Sequence, residues 1–210
     1  MNLREKNLEQ TKEDLKTHFT RDTLIIQTIH TIDELTLIAN KLVSNLRERY
    51  GYYAPRLSKE EDAKKLLSFV LEKKQDDLGV PFSKEDLLPI ILLAEEIQKI
   101  NFLKEHQEKY LESISQEICP HLKEAAGSLI AARLIALAGS LKHLAEIPSS
   151  TVQVLGAERA LFRHLKTGAK APKFGVIFAH QAITEATEKG KAARQLASKI
   201  SIAAKQDYFK

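Results

Sequence analysis

The chain has 210 residues and a mass of 23.7 kDa, with 43% hydrophobic and 29% charged residues, no tryptophan and one cysteine. This is the composition of a folded, charge-rich globular protein; it excludes global disorder, and a single Cys119 excludes an internal disulfide or a cysteine-based metal framework. The net charge of +4 is unevenly placed: residues 151–210 carry 11 Lys and Arg against 4 Asp and Glu, whereas residues 1–150 carry 21 against 24. Such polarity predicts a basic module that meets a polyanion, built on a frame of nearly balanced charge.

In chain order, residues 1–20 alternate charges from Arg4 onward and have no apolar run, so no secretory signal is expected and the segment is predicted as a linker helix or arm. From Asp22 to Tyr50 there is neither Gly nor Pro, and Ile25 as a heptad a position places Ile25, Ile32, Ala39 and Leu46 at a, with Thr28, Leu35 and Leu42 at d. Six of these seven positions are apolar, and the run would extend roughly 40 Å as a helix before Gly51 and Pro55 stop it. Residues 51–86 are a turn-rich excursion with a short amphipathic helix at Ala63–Lys73 and a breaker at Asp76–Pro81. Ser83 followed by Asp86 caps a second long helix that runs to about Ile118 and carries Ile90, Leu93, Ile97, Ile100 and Leu103 at helical spacing.

Two long helices joined by a compact excursion are expected to form an antiparallel hairpin over residues 21–118, with 51–86 at its tip. Apolar stripes this wide in so short a chain point to a second copy, so Ile25, Ile32, Leu35, Leu42, Ile90 and Ile97 are the candidate dimerisation residues. A helical bundle closed within one chain is the alternative. Ala125–Leu141, the longest apolar stretch at 17 residues, carries Arg133 at its centre and is therefore expected to be a buried helix and not a membrane span. Without a span or signal, the chain is expected in the cytoplasm, or in the nucleus or nucleolus of a nucleated cell.

After a turn at Pro148–Thr151, a helix is predicted over Ala157–Lys166. On it Arg159, Arg163 and Lys166 fall within about 60° of one another, with Leu161 and Leu165 on the other side to seat it on the core. Gly156 at its start is expected to leave backbone N–H groups open to a phosphate. Lys170 and Lys173 continue the positive charge through the following loop. A last helix, about Lys189–Gln206, turns Leu196 and Ile200 inward and Lys191, Arg194 and Lys205 outward. Gln153 is counted with this surface. Three basic elements converging in 60 residues fit a phosphate backbone better than solvated helix faces. Phe162, Phe174, Phe178 and Tyr208 could stack on bases, but core packing is the expected use of at least three.

No catalytic constellation is present: there is no phosphate-loop, dinucleotide, zinc-protease or nucleophile-elbow motif, and His18, His30, His106, His121, His143, His164 and His180 are scattered. Cys119-Pro120-His121 is expected to be structural, with the cysteine a small buried residue. Binding without turnover is indicated, with no cofactor and no metal.

The stretch ARLIALAGSLKHLAEIPSSTVQVLGAERALFRHLKTGAKAPKFGVIF resembles the Nop domain of the box C/D ribonucleoprotein scaffold proteins, whose spliceosomal relative shares the module. Upstream, RDTLIIQTIHTIDEL, LRERYGYYAPRL and LGVPFSKEDLLPI resemble that family's coiled-coil segment, and IAAKQDYF its closing helix. The resemblance implies an all-α protein: a long coiled-coil hairpin that dimerises, followed by a compact helical Nop domain over residues 119–210. It further implies a grip on a kink-turn guide RNA together with a small kink-turn-binding protein of ribosomal type. The family's Gly-Ala-Glu-Lys signature falls on Gly156, Ala157, Glu158 and Arg159, arginine replacing lysine. After Gly-x-Ile-aromatic, where the spliceosomal relative has histidine, this chain has Ala179 and then His180, which is retained as a candidate RNA contact. Family scaffolds dock the methyltransferase fibrillarin through an N-terminal domain, and with about 20 residues ahead of the coiled coil its recruitment here is expected to be doubtful. The partner through the coiled coil is then a second copy or a full-length scaffold, against which the chain could compete. A coiled-coil adaptor that sets its basic face against an acidic protein is the remaining alternative.

Overall fold

The computed structural model describes residues 2–209, except the side chains of Thr17 and His18, so the imidazole of His18 lies outside what is described. Every regular element in it is helical. The chain runs through α1 (Leu3–His18), α2 (Asp22–Tyr53), α3 (Ala63–Leu71), α4 (Lys84–Ile118), α5 (Pro120–Ala126) and α6 (Ser128–Ala138). It continues through α7 (Leu141–Glu146), α8 (Ser149–Val154), α9 (Glu158–Thr167), α10 (Gln181–Thr184) and α11 (Lys189–Tyr208). Single 3₁₀ turns lie at Leu57–Lys59 and Val176–Ala179. The chain divides into two compact units, Thr31–Glu108 and the residues on either side of that span.

The Thr31–Glu108 unit is the turn-rich excursion with the helical segments that flank it. Leu46, Tyr50 and Tyr53 of α2, Leu66, Leu67 and Val70 of α3, and Ile90, Ala94 and Ile97 of α4 form one buried cluster, so here α2 and α4 run antiparallel around α3. Asp62 caps α3, its carboxylate accepting from the Lys64 N–H at 2.9 Å, and Ser83 caps α4 through the Asp86 N–H at 3.1 Å. The Tyr50 hydroxyl reaches the Phe69 and Lys74 carbonyls at the end of α3, and burial pushes its pKa up to about 12. Helix α2 passes through Gly51 and ends only at Tyr53, because Ala54 still closes a turn onto the Tyr50 carbonyl at 2.8 Å.

Ile25, Ile32, Ile90 and Ile97 are all buried within the single chain, and Leu35 and Leu42 are half-buried. The seam offered from sequence as a dimer contact is thus largely occupied by the chain's own core. The apolar side chains that these helices leave exposed are others: Leu37 and Ile38 on α2, and Leu88, Leu92, Phe102 and Leu103 on α4.

In the other unit, α11 is the central helix, packed by α5, α7, α8 and α10. Its inward face is Ala193, Leu196, Ala197, Ile200, Ala203 and Ala204, and the small residues let its neighbours approach closely. The apolar stretch from Ala125 does not form one helix. It breaks at Gly127 and Gly139, which take φ of 76° and 87°, so α6 is flanked by the separate helices α5 and α7. The predicted turn at Pro148–Thr151 is likewise the first turn of α8, which Pro148 precedes as N-cap residue.

Asp207, near the end of α11, ties the unit together. Its buried carboxylate accepts from the backbone N–H groups of Leu122 at 2.8 Å and His121 at 3.2 Å, and its Oδ1 lies 2.7 Å from His121 Nδ1. A carboxylate from residue 207 thereby caps α5, whose open N–H groups favour negative charge. Cys119, the residue before α5, is buried, and burial together with Asp207 and Asp22 pushes its thiol up to about 12, which keeps it protonated and unreactive at neutral pH. At the start of α2, Asp22 accepts from the Leu141 N–H at 2.8 Å and caps α7.

Removing the Asp207 carboxylate strands buried donors on α5. Asp207→Ala is expected to lower the unfolding free energy by about 3 kcal/mol, read as a drop in the urea midpoint; an unchanged midpoint would show that the cap is not needed.

Candidate nucleic-acid interface

The path from α8 to the 3₁₀ turn at Val176–Ala179 makes an excursion that is closed at its base. The Gly175 N–H donates to the Gln153 carbonyl and the Val176 N–H to the Leu155 carbonyl, both at 2.8 Å, while Gln153 Nε2 donates to the Lys173 carbonyl at 2.6 Å. Residues 156–172, which include α9, stand outside this closure.

Gly156 begins the excursion at φ 88°, and a Cβ there would lie 2.4 Å from Val176 Cγ2. The sharp turn and the close approach both require glycine. The sequence predicts open N–H groups for a phosphate at this helix start; the N–H of Gly156 itself is instead taken, donating to the Glu158 carboxylate at 2.7 Å. Gly156 and Glu158 therefore shape the turn, and Ala157 serves as N-cap residue of α9.

Arg159, Arg163 and Lys166 are exposed along α9, as the stripe predicted. The leucines correct the expectation that they seat the helix: Leu161 is 37% exposed, Phe162 62% and Leu165 70%, and α9 buries no residue. Its C-terminal end is held by local contacts, the His164 ring to the Ala169 carbonyl and the Gly168 N–H to the His164 carbonyl at 2.9 Å. Both the basic and the apolar face of α9 are thus presented outward.

Beside the closure, the loop before Gly175 and the first turns of α11 form an open groove of about 1050 Å³, lined among others by Gln153, Lys173, Phe174, Lys189, Lys191 and Arg194. Lys173 lies along Gly190, where an added Cβ would be 4.0 Å from its Cδ, so the loop and α11 meet. Glu188 is the acid in the lining; it lies 3.8 Å from Lys191, with both side chains largely exposed, so the pair is weak and four cations leave the groove strongly positive.

Of the residues singled out from sequence, the structure therefore joins Gln153, Lys173, Lys191 and Arg194 in one groove. Arg159, Arg163, Lys166 and Lys170 are exposed but do not line it. His180 has a local duty, its Nδ1 accepting from the Ala182 N–H at 3.1 Å to cap α10. Lys189 and Phe174 were not singled out as groove residues; a charge count alone could have flagged Lys189, while only the fold places Phe174. The aromatic expectation is also corrected: Phe162, Phe178 and Tyr208 are exposed and Phe174 is half-buried, so none belongs to the core. Phe174 and Phe178 instead stack on each other, with centroids 4.5 Å apart and planes 11° from parallel, and Lys189 Nζ sits 5.5 Å from the Phe178 centroid. Among the described residues no group of three or more His, Cys, Asp or Glu could hold a metal ion, and no helix is long and apolar enough to cross a membrane.

Residues 13–210 match the family described as Nop, snoRNA binding domain, fibrillarin. The chain is 35% identical to an uncharacterized NOP5 family protein of Methanocaldococcus jannaschii, covering 95% of this chain and 56% of that protein. It is 36% identical to nucleolar protein 58 of Candida albicans, covering 90% of this chain and 42% of that protein. It therefore spans only about half the length of these relatives. A crystal structure of a fibrillarin/Nop5p complex superposes with a TM-score of 0.59 at 26% identity, over 99% of this chain and 70% of that one.

The turn into α9 supplies a direct test of this geometry. Gly156→Ala is expected to cost about 2 kcal/mol of stability, through a left-handed backbone and the contact with Val176. Urea unfolding followed by circular dichroism measures it, and an unshifted midpoint would contradict the close approach.

Proposed function

The chain belongs to the Nop family of box C/D ribonucleoprotein scaffolds, and from that premise we propose that it binds a kink-turn guide RNA together with the small protein that holds the kink. It does so as a scaffold without catalysis of its own. The observation that carries this reading is the groove in which Lys173, Lys189, Lys191 and Arg194 converge from two segments of chain. A row of cations with one weakly engaged acid suits a phosphate backbone, whose binding is driven by release of condensed counterions. Recognition of this kind reads the shape and charge of a folded RNA.

Helix α9 supports the composite nature of the target. A stripe of Arg159, Arg163 and Lys166 beside an uncovered face of Leu161, Phe162 and Leu165 fits a partner that is part nucleic acid and part protein. In this reading the groove takes the RNA, and the apolar face of α9 takes the kink-turn-binding protein. The doubt over fibrillarin that the sequence suggested is not supported, since the structural neighbour was solved as a complex with fibrillarin.

Dimerisation is part of the same proposal, moved to new residues. With Ile90 and Ile97 consumed by the core, the α4 stripe of Leu88, Leu92, Phe102 and Leu103 is the surface that a second copy or a full-length scaffold would cover.

Two outcomes are expected. Lys191→Glu with Arg194→Glu should weaken RNA binding about tenfold or more and make the slope of log K against log salt shallower by about 2; identical salt titrations for variant and parent would contradict the groove. In sedimentation, the parent should form a dimer and Leu92→Glu with Phe102→Glu a folded monomer, whereas a monomeric parent at micromolar concentration would remove the dimer.

A further inference from the structure

Phe174 and Phe178 are paired rings beside a groove that gathers four cations. The 3₁₀ turn at Val176–Ala179 buries Ile177 completely and so turns Phe178 outward. Phe174 lies between residues fixed from both sides, since the Lys173 carbonyl and the Gly175 and Val176 N–H groups all bond back to residues 153–155. The rings are therefore held in place before any ligand arrives, and little ordering is left to be done on binding. Phe174 lines the basic groove, and the ammonium of Lys189, also in the lining, lies over the Phe178 ring.

We propose that Phe174 and Phe178 form a stacking platform for one unpaired nucleobase of the bound RNA, an inference that rests on the RNA-binding reading above. The exposed part of the Phe178 ring is a cost in water, and the Lys189 cation over its face offsets part of it while the site is free. When a base extends the stack, Lys189 is released to the adjacent phosphate, and Lys173, Lys191 and Arg194 hold the strand on either side. Every base has a π-face, so the platform recognises an unstacked nucleotide and not its identity. A groove of cations alone would bind a continuous stem; the platform gives the same surface a preference for RNA with an extruded base beside the stem.

The test uses the intact chain and a kink-turn RNA, with and without its kink-turn-binding protein. A fluorescent purine analogue, and separately an abasic residue, replaces each unpaired nucleotide in turn. At one position the parent chain should quench the analogue, and the abasic RNA should bind about tenfold more weakly. Phe178→Ala should abolish both effects while Phe178→Tyr keeps them. Salt-dependent binding without any quenching or abasic penalty would overturn the platform and leave the RNA-binding reading intact. Failure of the parent to bind RNA under either condition would overturn both. The abasic comparison uses the unmodified protein, so it decides the matter even if Phe178→Ala fails to fold.

Discussion

The candidate interface depends on three hydrogen bonds that join Gln153 and Leu155 to Lys173, Gly175 and Val176. They close a loop at its base, and the consequences run in two directions. Inward, they set the 3₁₀ turn against the unit and bury Ile177. Outward, they leave α9 free of packing duty, and that is why it can exist with no buried side chain. A ten-residue helix in water is marginal by itself, so α9 relies on its Gly156 turn, its Gly168 C-cap and its short tether for its position, and its two faces stay available to partners.

The same closure explains how charge is gathered. Lys173 sits in the closing segment and Lys189, Lys191 and Arg194 on the first turns of α11, and the loop and the helix meet where Lys173 crosses Gly190. Helix α11 is itself fixed through its small inward residues and through the Asp207 cap on α5, which lies at its far end. A buried carboxylate at one end of the helix thus supports a cationic surface at the other, and the scaffold and the site are parts of one helical packing problem.

Much of this was legible from residues alone. Period gave α2 and α4, the Ser83–Asp86 cap marked the start of α4, and the excess of basic residues after residue 150 pointed to the segment that carries the basic groove. What periodicity could not tell was what covers an apolar stripe. Ile25, Ile32, Ile90 and Ile97 looked like a seam for a second copy and proved to be buried in the chain's own core; Leu161 and Leu165 looked like anchors and proved to be uncovered. An amphipathic pattern fixes the direction of a face relative to its helix and leaves the occupant of that face to the tertiary structure. The break of the Ala125–Leu141 stretch was missed because Gly127 and Gly139 are tolerable in a helix and only their positive φ values make them stops. The groove joins residues about 20 and 40 positions apart, a proximity no local pattern encodes.

The central claim is that the groove between the closing segment and α11 is where RNA lies. Photochemical cross-linking of bound RNA to the intact chain, followed by identification of the joined peptides, tests it most directly. Adducts should concentrate on the peptides that carry Lys173 to Phe178 and Lys189 to Arg194. Efficient cross-linking confined to the Thr31–Glu108 unit, with none in those two peptides, would contradict the account.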